Sequence, residues 1–292
     1  MRIDKWIAEH NENLSRSYVS SLIDEGRVTV NGRIVKASYQ VQENDDVQVD
    51  MPEMTEPDIL PEDIPLDIVY EDDDIIIINK PKNMVVHPAP GHYSGTVVNA
   101  LMYHCKDNLS GINGVLRPGI VHRIDKDTTG IIVACKNDKA HTALSEQLQE
   151  HSITRKYRAI VHGVIGEDSG TVEGAIARHP SDRKKMTIDN YRGRRAVTHY
   201  KVLKRLKGFT YIECELETGR THQIRVHMKS INHPVLGDEV YGPAKCPFKL
   251  QGQCLHAMVL GFKHPTTGQY VEFTSDPEVP EYFSELLRKL EV

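Results

Sequence analysis

The sequence predicts an α+β protein, with a large domain on a mainly antiparallel mixed sheet behind a small α/β module. Three observations carry this. Apolar runs of strand length recur through the long C-terminal part, and in Thr210, Ile212, Cys214 and Leu216 the period of two is clean. Helical periodicities fall among these runs without the regular βαβ alternation of a doubly wound fold. An acidic, proline-containing stretch at 52–66 separates a front module, 1–51, from the remainder, 67–292.

In the front module Ile3, Trp6 and Ile7 sit at helical spacing. Ser15 precedes a second helix with Val19, Leu22 and Ile23 on one face, and Gly26 is its expected stop. Val28-Thr29-Val30, Asn31-Gly32 and Ile34-Val35 spell a hairpin, because a type I′ turn needs positive φ at both central residues. Val47-Gln48-Val49 adds a strand. Behind the linker, Ile75 to Ile78 reads as a buried strand after the solvated turn Glu71-Asp72-Asp73-Asp74. Ser94 to Tyr103 is expected to be helical, and Ile131 to Cys135 a buried strand. Asp138 is expected to cap a helix carrying Ala140, Ala143, Leu144 and Leu148. Strands follow at Tyr157 to Val164, Ala196 to Leu203, Phe209 to Leu216 and Leu255 to Phe262. Pro280 opens a terminal helix with Phe283, Leu286, Leu287 and Leu290 inward.

Composition narrows the class. The chain has 292 residues, 39% hydrophobic and 26% charged, as in ordinary globular proteins. No run approaches the roughly 18 apolar residues of a membrane span. Met1-Arg2-Ile3-Asp4-Lys5 leads into no apolar signal segment, so a cytoplasmic protein is expected. Five scattered cysteines without a Cys-x-x-Cys pair fit reduced thiols better than a disulfide or zinc framework. The net charge of -5 conceals an asymmetry: residues 76–292 hold 30 Lys/Arg against 22 Asp/Glu. A basic body is compatible with a polyanionic ligand.

Common catalytic motifs are missing. Gly91-His92-Tyr93-Ser94-Gly95-Thr96 lacks the lysine of a phosphate loop, and neither H-E-x-x-H nor G-x-S-x-G occurs. The densest polar segment is Gly119 to Gly130, where His122-Arg123-Ile124-Asp125 ends an apolar lead-in and Lys126-Asp127-Thr128-Thr129 forms a turn. Rigidly held yet exposed, such a turn suits an active site. It suits equally a hairpin loop whose aspartates satisfy turn amides. A second segment, Glu217 to His227, reads as a glycine-initiated helix with Thr221, His222 and Arg225 on one face. Arg225 brought near Asp125 would keep that carboxylate ionised and oriented; otherwise the face binds phosphate or is merely solvated.

His122-Arg123-Ile124-Asp125-Lys126-Asp127-Thr128-Thr129-Gly130 resembles the H-R-L-D-x-x-T-S-G signature of the RluA family of pseudouridine synthases. Further blocks agree in order: Asn79-Lys80-Pro81 through Pro88, Arg155-Lys156-Tyr157 with Ala159 to Gly163, Gly219 to His227, and Leu255-His256-Ala257 with Phe262 to Pro265. Gly26-Arg27-Val28-Thr29-Val30-Asn31-Gly32, behind Ser17 to Leu22, resembles the S4 RNA-binding domain. Order and spacing are most similar to RluD-type synthases of large-subunit ribosomal RNA. Ile124, Thr129 and Asn83 depart from the commoner leucine, serine and glycine.

The resemblance implies isomerisation of uridine to pseudouridine with no metal and no cofactor. It implies Asp125 as catalytic nucleophile or base, Arg225 as its partner and Tyr157 against the target base, assisting proton removal at C5. Leu255 lines the pocket, Arg123 fills the space a flipped uridine leaves, and His122 and Thr128 support. The partner implied is RNA, 23S ribosomal RNA or the assembling large ribosomal subunit, bound by a monomer away from membranes. Arg16, Arg27, Arg33 and Lys36 cluster in the S4-like module as RNA contacts. Arg178 to Arg195, with Arg183, Lys184 and Lys185, holds eight basic or histidine side chains against Asp182 and Asp189, as an RNA clamp would. Two other readings compete: a non-catalytic RNA-binding protein, and a glycosidic hydrolase, for which Asp127 is the nearest second carboxylate.

Overall fold

The computed structural model describes the chain except residues 12, 13, 15, 52–58, 89–91, 107, 113, 115, 116, 276, 277 and 292. Ser15, Gly91 and most of the proline-containing stretch therefore lie outside the described residues. The chain divides into two compact units, Met1–Asp58 and Ile59–Val292.

In the first unit α1 (Ile3–His10) and α2 (Arg16–Asp24) pack on a three-stranded antiparallel sheet. Its strands are β1 (Val28–Val30), β2 (Arg33–Ile34) and β3 (Val47–Val49), in the order β2-β1-β3. Ile3, Ile7, Val19, Leu22, Ile23, Val28 and Val30 form the core. Asn31 and Gly32 take φ of 51° and 74°, the left-handed pair that the hairpin requires.

The second unit is built on a nine-stranded sheet. Its strands are β4 (Ile68–Glu71), β5 (Ile75–Lys80), β6 (Thr129–Cys135), β7 (Thr154–His162), β8 (Ser169–Glu173), β11 (Val197–Leu206), β12 (Phe209–Leu216), β13 (Leu255–Lys263) and β14 (Tyr270–Thr274). A separate two-stranded ribbon holds β9 (Ile176–Arg178) and β10 (Met186–Ile188). The large sheet runs β4-β5-β6-β13-β7-β12-β11-β8, with β14 also on β13, and among the described residues only the β6–β13 contact is parallel. Helices α3 (Val97–Cys105), α4 (Asp138–Gln149), α5 (Gln223–Ser230) and α6 (Glu281–Leu290) complete the unit. The mainly antiparallel α+β architecture is the one expected.

Burial of both faces explains the unbroken apolar run of β5. Ile76 and Ile78 join one core with Ile132, Val98 and Leu101, while Ile75 and Ile77 join another with Ile131, Val133 and Leu144. Fully burying each isoleucine contributes about 1.5–3 kcal/mol. The parallel seam needs a glycine. Gly130 lies at φ 111°, and a Cβ there would strike the Ala257 backbone, so no larger residue lets β6 abut β13 beside the site.

Three local expectations change. The cap of α4 is Asn137, whose side chain accepts from Ala140 N at 2.9 Å; Asp138 instead accepts from Ser110 Oγ at 2.6 Å. The lead-in at 119–121 forms only one bridge, Ile120 to Ala134, rather than a strand. Helix α5 begins at Gln223, later than the glycine-initiated start, because Gln223 Oε1 accepts from Thr218 Oγ1 and Arg220 N and holds the preceding loop extended.

Candidate active site

Asp125 lies in the irregular loop between the Ile120 bridge and β6, with its side chain 18% exposed. Thr128 N donates to the Asp125 carbonyl at 3.1 Å, closing the turn. Thr128 is buried, and its hydroxyl accepts from Gln253 Nε2 at 3.0 Å, which ties the loop to the segment before β13. A second anchor is Lys80, at the end of β5. Its buried ammonium donates to the carbonyls of Pro81, Met84 and Lys126 at 2.8, 2.8 and 2.9 Å. Burial pushes Lys80 down to about 7, opposed by Asp127 and Asp125. Three carbonyls around one ammonium favour its charged form, so Lys80 works as a clamp on the loop.

Arg225, the third residue of α5, donates from Nη1 to Asp125 Oδ2 at 2.9 Å. The rest of its guanidinium is gripped by Asp238, through Nε to Oδ2 at 2.6 Å and Nη2 to Oδ1 at 2.9 Å. Asp238 has a fully buried side chain and also accepts from the amides of Val240 and Tyr241. The two carboxylates hold the Arg225 pKa above its ordinary value against the opposing effect of burial. The planar fork is thus fixed on one side and presents a single N–H to Asp125 on the other.

His222 approaches the same carboxylate, Nε2 standing 3.8 Å from Asp125 Oδ1. It occupies the left-handed N-cap of α5, at φ 56°. The Tyr241 hydroxyl accepts from Met186 N at 2.7 Å and lies 2.8 Å from His222 Nδ1, which fixes the plane of the imidazole. Burial lowers the His222 pKa, with Asp125 opposing.

Asp125, Tyr157, Leu255, Thr128, Arg123 and Ile224 line a narrow cavity of about 50 Å³. It shares Arg123, Asp125, Tyr157, Leu216, Arg220 and His222 with an adjoining groove of about 540 Å³. Among the described residues lining either space, Asp125 is the sole carboxylate. Burial raises the Tyr157 pKa, Arg155 opposing it, so the phenol stays protonated. His122 Nε2 accepts from Val133 N at 3.0 Å, and burial pushes this imidazole down to about 3. It is a neutral strut of the groove wall. Arg123 is exposed, its Nη1 3.5 Å from Nε2 of the buried His87. Burial pushes His87 down to about 4, so that nitrogen can accept from Arg123.

The structure therefore brings Asp125, Arg225, Tyr157, Leu255, Thr128, Arg123 and His122 to one place. Asp238, Tyr241 and Lys80 complete it; Lys80 stands in the Asn79-Lys80-Pro81 block but carried no role there, and the signal for Asp238 was the acidic pair Asp238-Glu239 after the apolar run Val235-Leu236-Gly237. The basic candidates of the first unit behave differently from one another. Arg16 pairs with Asp4 at 2.8 Å and Arg27 with Asp50 at 2.9 Å, while Arg33 and Lys36 are exposed. On the β9–β10 ribbon Arg183 and Lys184 are exposed, and Lys185 lies 3.6 Å from Asp182. Among the described residues one cluster offers metal-ligating atoms within reach of one another, Glu71, His104 and Cys105. There Lys136 Nζ already bonds Glu71 at 2.8 Å, and burial pushes the Cys105 thiol up to about 11. No helix among the described residues is long and apolar enough to cross a membrane.

Comparison with known proteins gives the class, an RNA-modifying isomerase. Residues 74–230 match the RNA pseudouridylate synthase family and residues 1–47 the S4 domain. The chain belongs to the RNA pseudouridylate synthase family. It is 54% identical over 289 residues to YlyB of Bacillus subtilis (strain 168), described as an uncharacterized RNA pseudouridine synthase, covering 99% of this chain and 94% of that protein. It is 47% identical over 299 residues to ribosomal large subunit pseudouridine synthase D of Zymomonas mobilis, covering 99% and 93%. Human RNA pseudouridylate synthase domain containing 1 superposes with a TM-score of 0.60 at 25% identity, over 77% of this chain and 94% of that one.

Proposed function

We propose that this pseudouridine synthase modifies uridines of large-subunit ribosomal RNA in the cytosol and that Asp125 is its nucleophile or base. The observation that carries the catalytic assignment is the Asp125–Arg225 pair: one carboxylate, oriented by a fixed guanidinium, in a groove without a second acid. A glycosidic hydrolase would need two carboxylates flanking the bond. Asp127 lines neither space, and Asp238 has both oxygens engaged by Arg225 and the Val240 and Tyr241 amides. A protein that only bound RNA would gain nothing from a carboxylate beside phosphate. The rRNA target is supported by the names of relatives such as the Zymomonas enzyme.

The reaction breaks the C1′–N1 bond, turns the uracil and joins C5 to C1′; the C5 proton is lost and N1 ends protonated. Asp125 engages the nucleotide, and Arg225 keeps its oxygens aimed. Tyr157 packs on the uracil as a neutral phenol, with Leu255 beneath it, which excludes water from the detached base. Extrusion from the stack costs a few kcal/mol, which Arg123 offsets by entering the vacated space. His122 and Thr128 hold the walls. Arg183, Lys184, Lys185, and in the S4-like module Arg16, Arg27, Arg33 and Lys36, draw the phosphate backbone. Tyr191, fully exposed between Asn190 and Arg192, suits stacking on an unpaired base.

The test is to map pseudouridine in ribosomal RNA from cells lacking the protein, complemented with wild type or Asp125→Asn. Wild type should restore the missing sites and the variant none. Restoration of all sites by Asp125→Asn refutes the catalytic assignment, and loss of none on deletion refutes the rRNA target.

A further inference from the structure

One wall of the groove carries more positive charge than the protein itself neutralises. Arg155, Arg194 and Arg220 all line it beside Asp125, and among the described residues none forms an ion pair with a carboxylate. Arg155 is 6% exposed, yet its Nη2 donates only to the Glu217 carbonyl, at 3.2 Å, and its Nε has no partner. A buried guanidinium left this way is costly unless a ligand completes it. Arg220 Nε donates to the Arg195 carbonyl at 3.1 Å, again not to an acid. The nearby Glu217 carboxylate is taken by Arg195 and His199. Gly219 makes the room: a Cβ there would stand 2.5 Å from Arg155 Nη1, so the tip of the guanidinium occupies the space a side chain would take. Burial lowers the pKa of both Arg155 and Arg220, and Arg194 and Arg155 lower that of Arg220 further, the mark of like charges held together.

We infer that Arg155, Arg194 and Arg220 form a phosphate pocket that grips a phosphodiester next to the target uridine and so sets its register on Asp125. The inference rests on the proposal that this groove holds RNA. A phosphodiester supplies the acceptor oxygens that Arg155 lacks, and bidentate guanidinium contacts fix orientation as well as position. Asp125 does not repel it strongly, since Arg225 already compensates that charge. The arginines of the site are thus divided: Arg225 serves the carboxylate, Arg123 the space the uridine leaves, and Arg155, Arg194 and Arg220 the substrate backbone.

The test uses the full chain and an unmodified transcript of large-subunit ribosomal RNA, with kcat and KM measured at several salt concentrations. Arg155→Met should raise KM about tenfold or more and flatten the salt dependence by about one phosphate contact. Its thermal midpoint should hold or rise, because an unpaired buried charge is gone. Gly219→Ala, which displaces Arg155 without removing it, should shift KM the same way. If Arg155→Met does not fold, the less buried Arg194→Met and Arg220→Met decide. Wild-type KM and salt slope in Gly219→Ala, Arg194→Met and Arg220→Met overturn the pocket. A wild-type protein that converts no uridine refutes the proposed function instead.

Discussion

Replacing Asp238 by asparagine separates the support of the site from its chemistry. Asp238 holds two of the three side-chain bonds of Arg225 and two backbone amides, with no side-chain exposure. Asparagine keeps the shape but removes the charge and turns one acceptor into a donor facing a guanidinium N–H. Removing one partner of a buried pair costs about 3–5 kcal/mol. Asp125 still offers Arg225 partial compensation, which places the loss near the lower figure. For a unit of this size about 3 kcal/mol lowers the unfolding midpoint by roughly 6–12 °C. Arg225 would also swing toward Asp125, and a displacement of about 1 Å at a reacting group costs on the order of 100-fold in rate. The paired variant is Asp125→Asn, which leaves the Arg225–Asp238 fork intact and should unfold within a few degrees of wild type while losing activity. Calorimetry and single-turnover conversion of an rRNA transcript read both quantities. Wild-type stability and rate in Asp238→Asn would refute the argument that this buried acid fixes Arg225.

Further outcomes follow from other parts of the fold. Lys80→Met leaves three carbonyls without their donor and should cost about 3 kcal/mol in chemical denaturation, with slower turnover because Lys126 loses its tether. His256, buried between Thr129 and Ser275, is pushed down to about 4, and its unfolded value lies near 6.5. Between those values the unfolded chain takes up a proton that the fold refuses, so stability falls as pH drops from 6.5 toward 4. The loss from His256 alone is about 3 kcal/mol; His87 and His122 act in the same direction, and His256→Gln should flatten the urea-midpoint profile across that window. Reversing charge at Arg183, Lys184 and Lys185 should weaken RNA binding and reduce its salt slope by about one per lost contact, read by fluorescence anisotropy. Unchanged affinity across salt would remove the ribbon from the interface.

The legible parts of the fold were those whose burial writes itself into periodicity. β5 and β6 are buried on both faces and read as unbroken apolar runs; α6 shows its inward stripe of Phe283, Leu286 and Leu290. The Asn31-Gly32 turn was readable because few residues adopt its backbone. β4 and β8 were not, since exposed strands with patterns as open as Ile68–Glu71 carry no alternation. The start of α5 depended on Gln223 bonding back to the loop, a tertiary contact that outweighs the local preference at Gly219. At the site, Asp125 and Arg225 lie 100 residues apart, and physics alone left Asp125 level with a turn-stabilising aspartate. The resemblance joined them. It did not point to Asp238, His222 as the second neighbour of the carboxylate, or the unpaired Arg155, because each owes its role to burial and to what stands opposite it.

The most direct measurement is single-turnover conversion by purified protein, counting pseudouridine in an unmodified large-subunit rRNA transcript for wild type and Asp125→Asn at matched RNA occupancy. Wild type should convert defined uridines, while the variant binds the same RNA and converts none. Conversion by Asp125→Asn at a rate near wild type would contradict the central claim.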